Sequence, residues 1–200
     1  GSVLVRTPVV NDTTVDNNET FTLTASISGG GSASGTCTLK DDGTGDIYKT
    51  DGTTDGTAAK DDDRVLTVST ETVNEASPYA VFSVTANVGQ TLNLALSNGT
   101  VNPTATSGVD YGTSLQYWNG SAWTAYSPGF TVPGTGIGST TVLVRMAINQ
   151  DTVFENAEDF KLTATYASGS TSKTATGVAT IKDDGTGTKY PDQDPTDSST

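Results

Sequence analysis

Ala80-Val81-Phe82-Ser83-Val84-Thr85 and, one short turn later, Leu92-Asn93-Leu94-Ala95-Leu96 place apolar side chains at alternate positions among Ser, Thr and Asn. A period of two, with β-branched and aromatic residues on the apolar side, describes a strand that buries one face. Working outward, the same alternation recurs in Val65-Leu66-Thr67-Val68-Ser69-Thr70, in Thr141-Val142-Leu143-Val144-Arg145-Met146 and in Phe160-Lys161-Leu162-Thr163-Ala164-Thr165. Further strands are expected over 114–118, 122–126, 130–132 and 176–182, with Asn119-Gly120 as a type I′ turn between two of them. No window has helical apolar spacing. Seven to nine short strands in about 120 residues predict an all-β chain: an antiparallel two-sheet Ig-like β-sandwich with no significant helix.

Sliding the chain against itself uncovers a duplication. Val3-Leu4-Val5-Arg6 matches Val142-Leu143-Val144-Arg145, and at the same offset Asp12 meets Asp151, Asn17 meets Asn156, Glu19 meets Glu158, Phe21 meets Phe160 and Leu23 meets Leu162. After a slightly longer loop in the second copy, Leu39-Lys40-Asp41-Asp42-Gly43-Thr44-Gly45 meets Ile181-Lys182-Asp183-Asp184-Gly185-Thr186-Gly187. Residues 65–187 therefore read as one complete repeat. Residues 1–45 read as the C-terminal portion of an incomplete or split repeat, in which Cys37 should lie on the inner face of a strand. The stretch 46–64, rich in Gly, Thr and Asp and without apolar periodicity, is expected to be a linker. Residues 188–200, with Pro191 and Pro195, are expected to be an acidic tail or the next linker. Gly1-Ser2 reads as the remainder of a cleaved tag, and the chain as a piece of something larger.

Composition narrows the chemistry. Hydrophobic residues make up 33% of the 200, and no apolar run is long enough to cross a membrane. The 23 acids against 10 bases give a net charge of −13, which argues against nucleic acid and anionic membrane surfaces as partners. With no His and one Cys, His-assisted nucleophiles, His-based metal sites and an intrachain disulfide are ruled out. A glycosidase with paired carboxylates is weighed and set aside, because no carboxylate stands alone in an apolar stretch. The chain is not expected to be an enzyme.

The acids gather at the expected loops: Asp12, Asp16 and Glu19; Asp41, Asp42 and Asp46; Asp61, Asp62 and Asp63; Glu71 and Glu75; Asp110; Asp151, Glu155, Glu158 and Asp159; Asp183 and Asp184; and Asp192, Asp194 and Asp197. Like charges so close repel unless a cation lies among them. Oxygen-only donors on flexible loops fit a hard cation, Ca²⁺ ahead of Mg²⁺. The competing reading is a solvated acidic surface that serves solubility.

Val73-Asn74-Glu75, Gly108-Val109-Asp110-Tyr111-Gly112, Leu143-Val144-Arg145 followed by Asp151, Glu155 and Glu158, and the closing Ile181-Lys182-Asp183-Asp184-Gly185-Thr186-Gly187 carry a resemblance. The chain resembles the Calx-β-like, immunoglobulin-like repeats of giant bacterial RTX adhesins of the ice-binding or biofilm type. The resemblance implies tandem sandwiches stiffened by several Ca²⁺ ions, secreted and held at the cell surface, with neighbouring repeats of the same chain as partners. It implies Glu75, Asp110, Asp151, Glu158 and Asp183 as ligands, with Asp41 to Asp46 and Asp61 to Asp63 closing the junction. The function expected is a calcium-rigidified extender supporting cell adhesion. The alternative is a calcium-dependent module that binds a peptide or glycan on a target surface, with Tyr117, Trp118, Trp123 and Tyr126 as a platform around one hairpin, although alternation puts about half of these aromatics in the core.

Overall fold

In the computed structural model, residues 2–16, 18–100 and 104–190 are described. The chain divides into two compact units, Gly1–Arg64 with the turn Ser168–Thr171, and Val65–Ala167 with Ser172–Thr200. The first holds strands β1 (Thr20–Ser26) and β2 (Ser32–Thr38). The second holds β3 (Leu66–Val68), β4 (Glu71–Asn74), β5 (Tyr79–Asn87), β6 (Thr91–Asn98), β7 (Tyr111–Trp118), β8 (Trp123–Ala125), β9 (Phe130–Thr131) and β10 (Ser139–Ile148), with β11 (Glu158–Ser168) and β12 (Thr171–Lys182) completing it. The chain is all-β, and no helix is found among the described residues.

The second unit is a β-sandwich with sheets ordered β3-β5-β10-β7-β8 and β4-β12-β11-β6-β9. This is the immunoglobulin-like arrangement, with β3, β5, β10 and β7 in the places of strands A, B, E and D of one sheet. Alternation does the work the sequence assigns to it. Phe82, Val84, Val144 and Met146 point inward from one sheet, and Leu92, Phe160, Leu162, Ala164 and Ala179 from the other, all buried. Phe160 is the hub: its ring stacks on Tyr111 at 4.3 Å and meets Phe82 edge-on at 5.9 Å. The Tyr111 hydroxyl, carried into the core with its ring, donates to Asn98 Oδ1 at 2.9 Å.

Two local features differ from the expectation. The run 65–70 does not end the first strand's role. After Val68 the chain crosses to the opposite sheet, where β4 pairs parallel with β12, Val73 opposite Ile181. Ser69 enables the crossing: its N–H still donates to the Ser83 carbonyl at 2.9 Å, but its Oγ takes the place of its carbonyl in accepting the Ser83 N–H at 2.8 Å, and donates to Glu71 Oε1 at 2.5 Å. A Cβ on Gly177 of β12 would lie 1.9 Å from the Ser69 carbonyl oxygen, so only glycine fits there. The β7–β8 turn is also not type I′, which needs positive φ at both central residues. Only Gly120 has it, at 97°. Asn119 instead uses Oδ1 to accept N–H groups from Ser121 and Ala122, closing a longer loop.

The first unit is smaller. β1 and β2 form a two-stranded antiparallel ribbon, Phe21 opposite Cys37 and Leu23 opposite Gly35. Cys37 is exposed, contrary to the inner-face expectation, because no second sheet covers the ribbon among the described residues. Val3-Leu4-Val5, which match core strand β10, form no strand and are exposed. The segment 46–64 is held by isolated bridges, Asp42 with Asp62 and Tyr48 with Thr54, and by Asp-Gly-Thr turns at Asp51 and Asp55. Beyond 187 the chain stays docked on the second unit as far as Tyr190. Thr188 bridges Val73, and the Tyr190 hydroxyl donates to Glu71 Oε2 at 3.1 Å. Burial and the neighbouring Glu71 charge push the Tyr190 hydroxyl up to about 12. Asp192, Asp194, Asp197 and the rest of the expected tail lie outside the described residues.

Candidate metal centre

Loops at one end of the second unit bring acids together from distant points in the sequence. Glu75 follows β4, Asp110 precedes β7, Glu155 lies in the loop after β10, Glu158 opens β11 and Asp183 follows β12. Carboxylate oxygens of Asp110, Glu155 and Glu158 all lie within 4.8 Å of one another. Glu75, Asp183, Asn149, Asn156 and the apolar Ile181 complete the lining of a small cavity, about 10 Å³, roughly the space of one water-sized sphere.

Main-chain donors hold this arrangement. The Asp151 N–H donates to Glu75 Oε1 at 3.0 Å, the Glu155 N–H to Asp183 Oδ2 at 3.2 Å, and the Thr106 N–H to Asp110 Oδ2 at 2.6 Å. They do not offset the crowding. Burial raises the Glu158 carboxyl, and the charges of Asp110 and Glu155 raise it further, to about 7. Glu75 and Glu155 are raised as well, by burial first and by neighbouring acids after it. A carboxylate cluster that resists ionising is one whose charge a cation would relieve.

The first unit repeats the theme. Asp41, Asp61 and Asp63 bring their oxygens within 4.8 Å of one another. The bridge between Asp42 and Asp62 sets this up by aligning the two acidic segments. Burial raises the Asp41 carboxyl, and although the Asp16 N–H lowers it, Asp63, Asp61 and Asp16 add to the rise.

The duplication extends to hydrogen bonds. The Asp16 N–H donates to Asp41 Oδ2 at 3.3 Å, and its counterpart Glu155 N–H donates to Asp183 Oδ2 at 3.2 Å. The Thr14 N–H donates to Asp12 Oδ1 at 2.7 Å, as Val153 does to Asp151 at 2.6 Å. The Thr44 N–H donates to Asp42 Oδ1 at 3.0 Å, as Thr186 does to Asp184 at 2.9 Å. Both copies thus build the same loops around the aspartate that follows the last strand. No protein-family model matches the chain, and no curated protein matches it either. The internal copy is therefore the comparison the molecule itself provides.

Several other acids expected as ligands lie outside the two triads and accept hydrogen bonds from their own loops or an arginine. Asp12 and Asp151 cap the loop N–H groups just named, and Asp42 and Asp184 close Asp-Gly-Thr turns. Asp62 is buried and ion-paired with Arg64 at 2.7 Å. Burial works to raise its pKa, but the Arg64 hydrogen bonds win and hold it at about 2. Glu19 is exposed, with its main chain paired to Leu39, and Asp46 is exposed and outside the cluster. A signal for this sorting exists in the sequence. A threonine two residues after an aspartate marks a carboxylate turned back onto its own loop, as at Asp42, Asp51, Asp55 and Asp184.

The four aromatics do not form one platform. Tyr117 and Tyr126 turn onto Phe130, at 4.5 and 6.4 Å between ring centres, and the Tyr126 hydroxyl accepts the Leu94 N–H at 2.8 Å. Trp118 and Trp123 meet edge to face at 5.6 Å. The sequence assigns Arg145 no role of its own. Its buried guanidinium lies 3.7 Å from the Tyr79 ring centre and 4.3 Å from that of Trp123, and its Nε donates to Gln116 Oε1 at 2.7 Å. An arginine inside the apolar run Val142 to Met146 was the available clue.

Proposed function

We propose that this chain is a calcium-binding β-sandwich module of a large bacterial adhesin, secreted and held at the cell surface, where calcium stiffens it as an extender. The single observation that supports this reading is the pair of carboxylate triads, Asp110-Glu155-Glu158 and Asp41-Asp61-Asp63, flanked by loops that repeat the same hydrogen bonds. The donor set fits the ion. Every donor is an oxygen, several carry charge, and Ca²⁺ takes six to eight such ligands from flexible loops. In the second unit Asp110, Glu155 and Glu158 would hold it, with Glu75 and Asp183 at hand. In the first, Asp41, Asp61 and Asp63 would do so, tying the end of the ribbon to the residues just before Val65.

Stiffening follows from that connectivity. Without a cation, the two ends of the Gly-, Thr- and Asp-rich stretch 46–64 are joined by the Asp42–Asp62 bridge and by the Gly43 N–H on the Asp61 carbonyl at 2.7 Å, while repulsion among Asp41, Asp61 and Asp63 works to part them. A cation among Asp41, Asp61 and Asp63 would pin those ends together. Small-angle scattering of the chain should give a larger and more sharply defined maximum dimension in calcium than in chelator.

A second reading is favoured by a groove of about 430 Å³ along β6 and β7, lined by Leu94, Leu96, Leu115 and Tyr126 with Ser107, Thr113 and Ser114. Apolar walls with a few hydroxyls suit a peptide or glycan ligand. Equal scattering dimensions with and without calcium, once binding has been verified, would remove the extender and leave this ligand-binding module in its place.

A further inference from the structure

We propose that the apolar face of the β1–β2 ribbon is the inner face of a second sandwich, and that its occupant is a covering set of strands with the pattern of β3 to β9. The inference is independent of calcium binding. On one side of the ribbon lie Phe21, Leu23 and Ala25, paired across to Cys37, Gly35 and Ala33, and on the other side only Ser and Thr. That is the two-faced pattern of a sheet with one side in a core. Its counterparts in the second unit, Phe160, Leu162, Ala164 and Ala179, are each 0% exposed, whereas Leu23 is 52% exposed.

Glycine gives the second, independent observation. Gly35 stands mid-strand, where glycine weakens pairing and offers no side chain to pack, and a Cβ there would meet nothing within 4 Å. At the matching position Gly177 is obligatory, because the crossing at Ser69 presses its carbonyl against β12. The ribbon thus keeps a gap shaped for the crossing between a β3-like and a β4-like strand. Val3-Leu4-Val5-Arg6 fit the same account: their counterparts in β10 run between β5 and β7, and here they are exposed, with no strand paired on either side among the described residues.

The chain carries its own reporter. Cys37 is its only cysteine and sits on this face opposite Phe21. The test joins a second copy of residues 65–139 directly ahead of Gly1, so that Val3 to Arg6 follow it in the register of β10, and compares maleimide labelling of Cys37 with that in the unextended chain. In the unextended chain, labelling should run close to the rate for the urea-unfolded protein. In the extended one it should slow at least ~10-fold, because a buried thiol reacts only through opening. Gly35→Val should restore fast labelling in the extended protein and leave the unextended chain's rate unchanged. Equal rates in the two proteins, or protection that survives Gly35→Val, would overturn the proposal. So would labelling of the unextended chain that slows as its concentration rises, since a second copy would then be the occupant.

Discussion

Saturating calcium should raise the melting temperature of the chain well above its value in chelator. Binding confined to the native state adds RT ln(1 + [L]/Kd), roughly 3 kcal/mol per site at a hundredfold excess. For a chain of this size that corresponds to about 5–10 °C per occupied site. The pH dependence sharpens the expectation. Glu158, raised to about 7, binds its proton more tightly folded than unfolded, as do Glu75, Glu155 and Asp41 to a smaller degree. Their contribution is fully present below the unfolded pKa, 4.5 for the glutamates and 3.8 for Asp41, and is lost as pH rises through the folded value. In chelator the melting temperature should therefore fall between pH 5 and pH 8, and calcium should abolish the fall. Melts within a degree or two of each other in the two conditions would count against a metal at these loops.

Removing the Phe160 ring should cost far more than removing its counterpart Phe21. Phe160 is 0% exposed and touches the rings of both Tyr111 and Phe82, so Phe160→Ala leaves a cavity and should destabilise the second unit by about 3–5 kcal/mol. Phe21 is 37% exposed on an uncovered ribbon, and Phe21→Ala should cost less than ~1 kcal/mol. Urea titrations of the two variants separate the cases. Comparable losses would mean that the ribbon packs in solution against something other than the described residues.

This pair of phenylalanines also marks how far the sequence could be read. Period-two alternation found the central strands and the inward side of each, because burial on one face leaves its mark at every second residue. The same alternation in 20–26 and 32–38 called equally for a core and could not say whether one was present, since covering strands are a property of the rest of the fold. β4 escaped notice because Ser69-Thr70 interrupts nothing in the pattern; the switch of sheets is made by a hydroxyl replacing a main-chain partner. Among the acids, clustering was legible but convergence was not. Asp183 and Asp184 are neighbours in sequence, yet one faces Glu75 and Glu155 while the other turns back to Thr186. Asp62, between two members of a triad, is drawn off by Arg64 at a spacing of two.

Calorimetric titration of the chelator-stripped chain with calcium, repeated on Asp110→Asn and Asp61→Asn, tests the central claim most directly. At least two ions per chain should bind, with each substitution removing or weakening at least ~10-fold one class of site and sparing the other, because the two triads share no residue. Near pH 7 the site lost in Asp110→Asn should also release protons on binding, since Glu158 is then partly protonated. Absence of heat at millimolar calcium, or binding that neither substitution alters, would contradict the account.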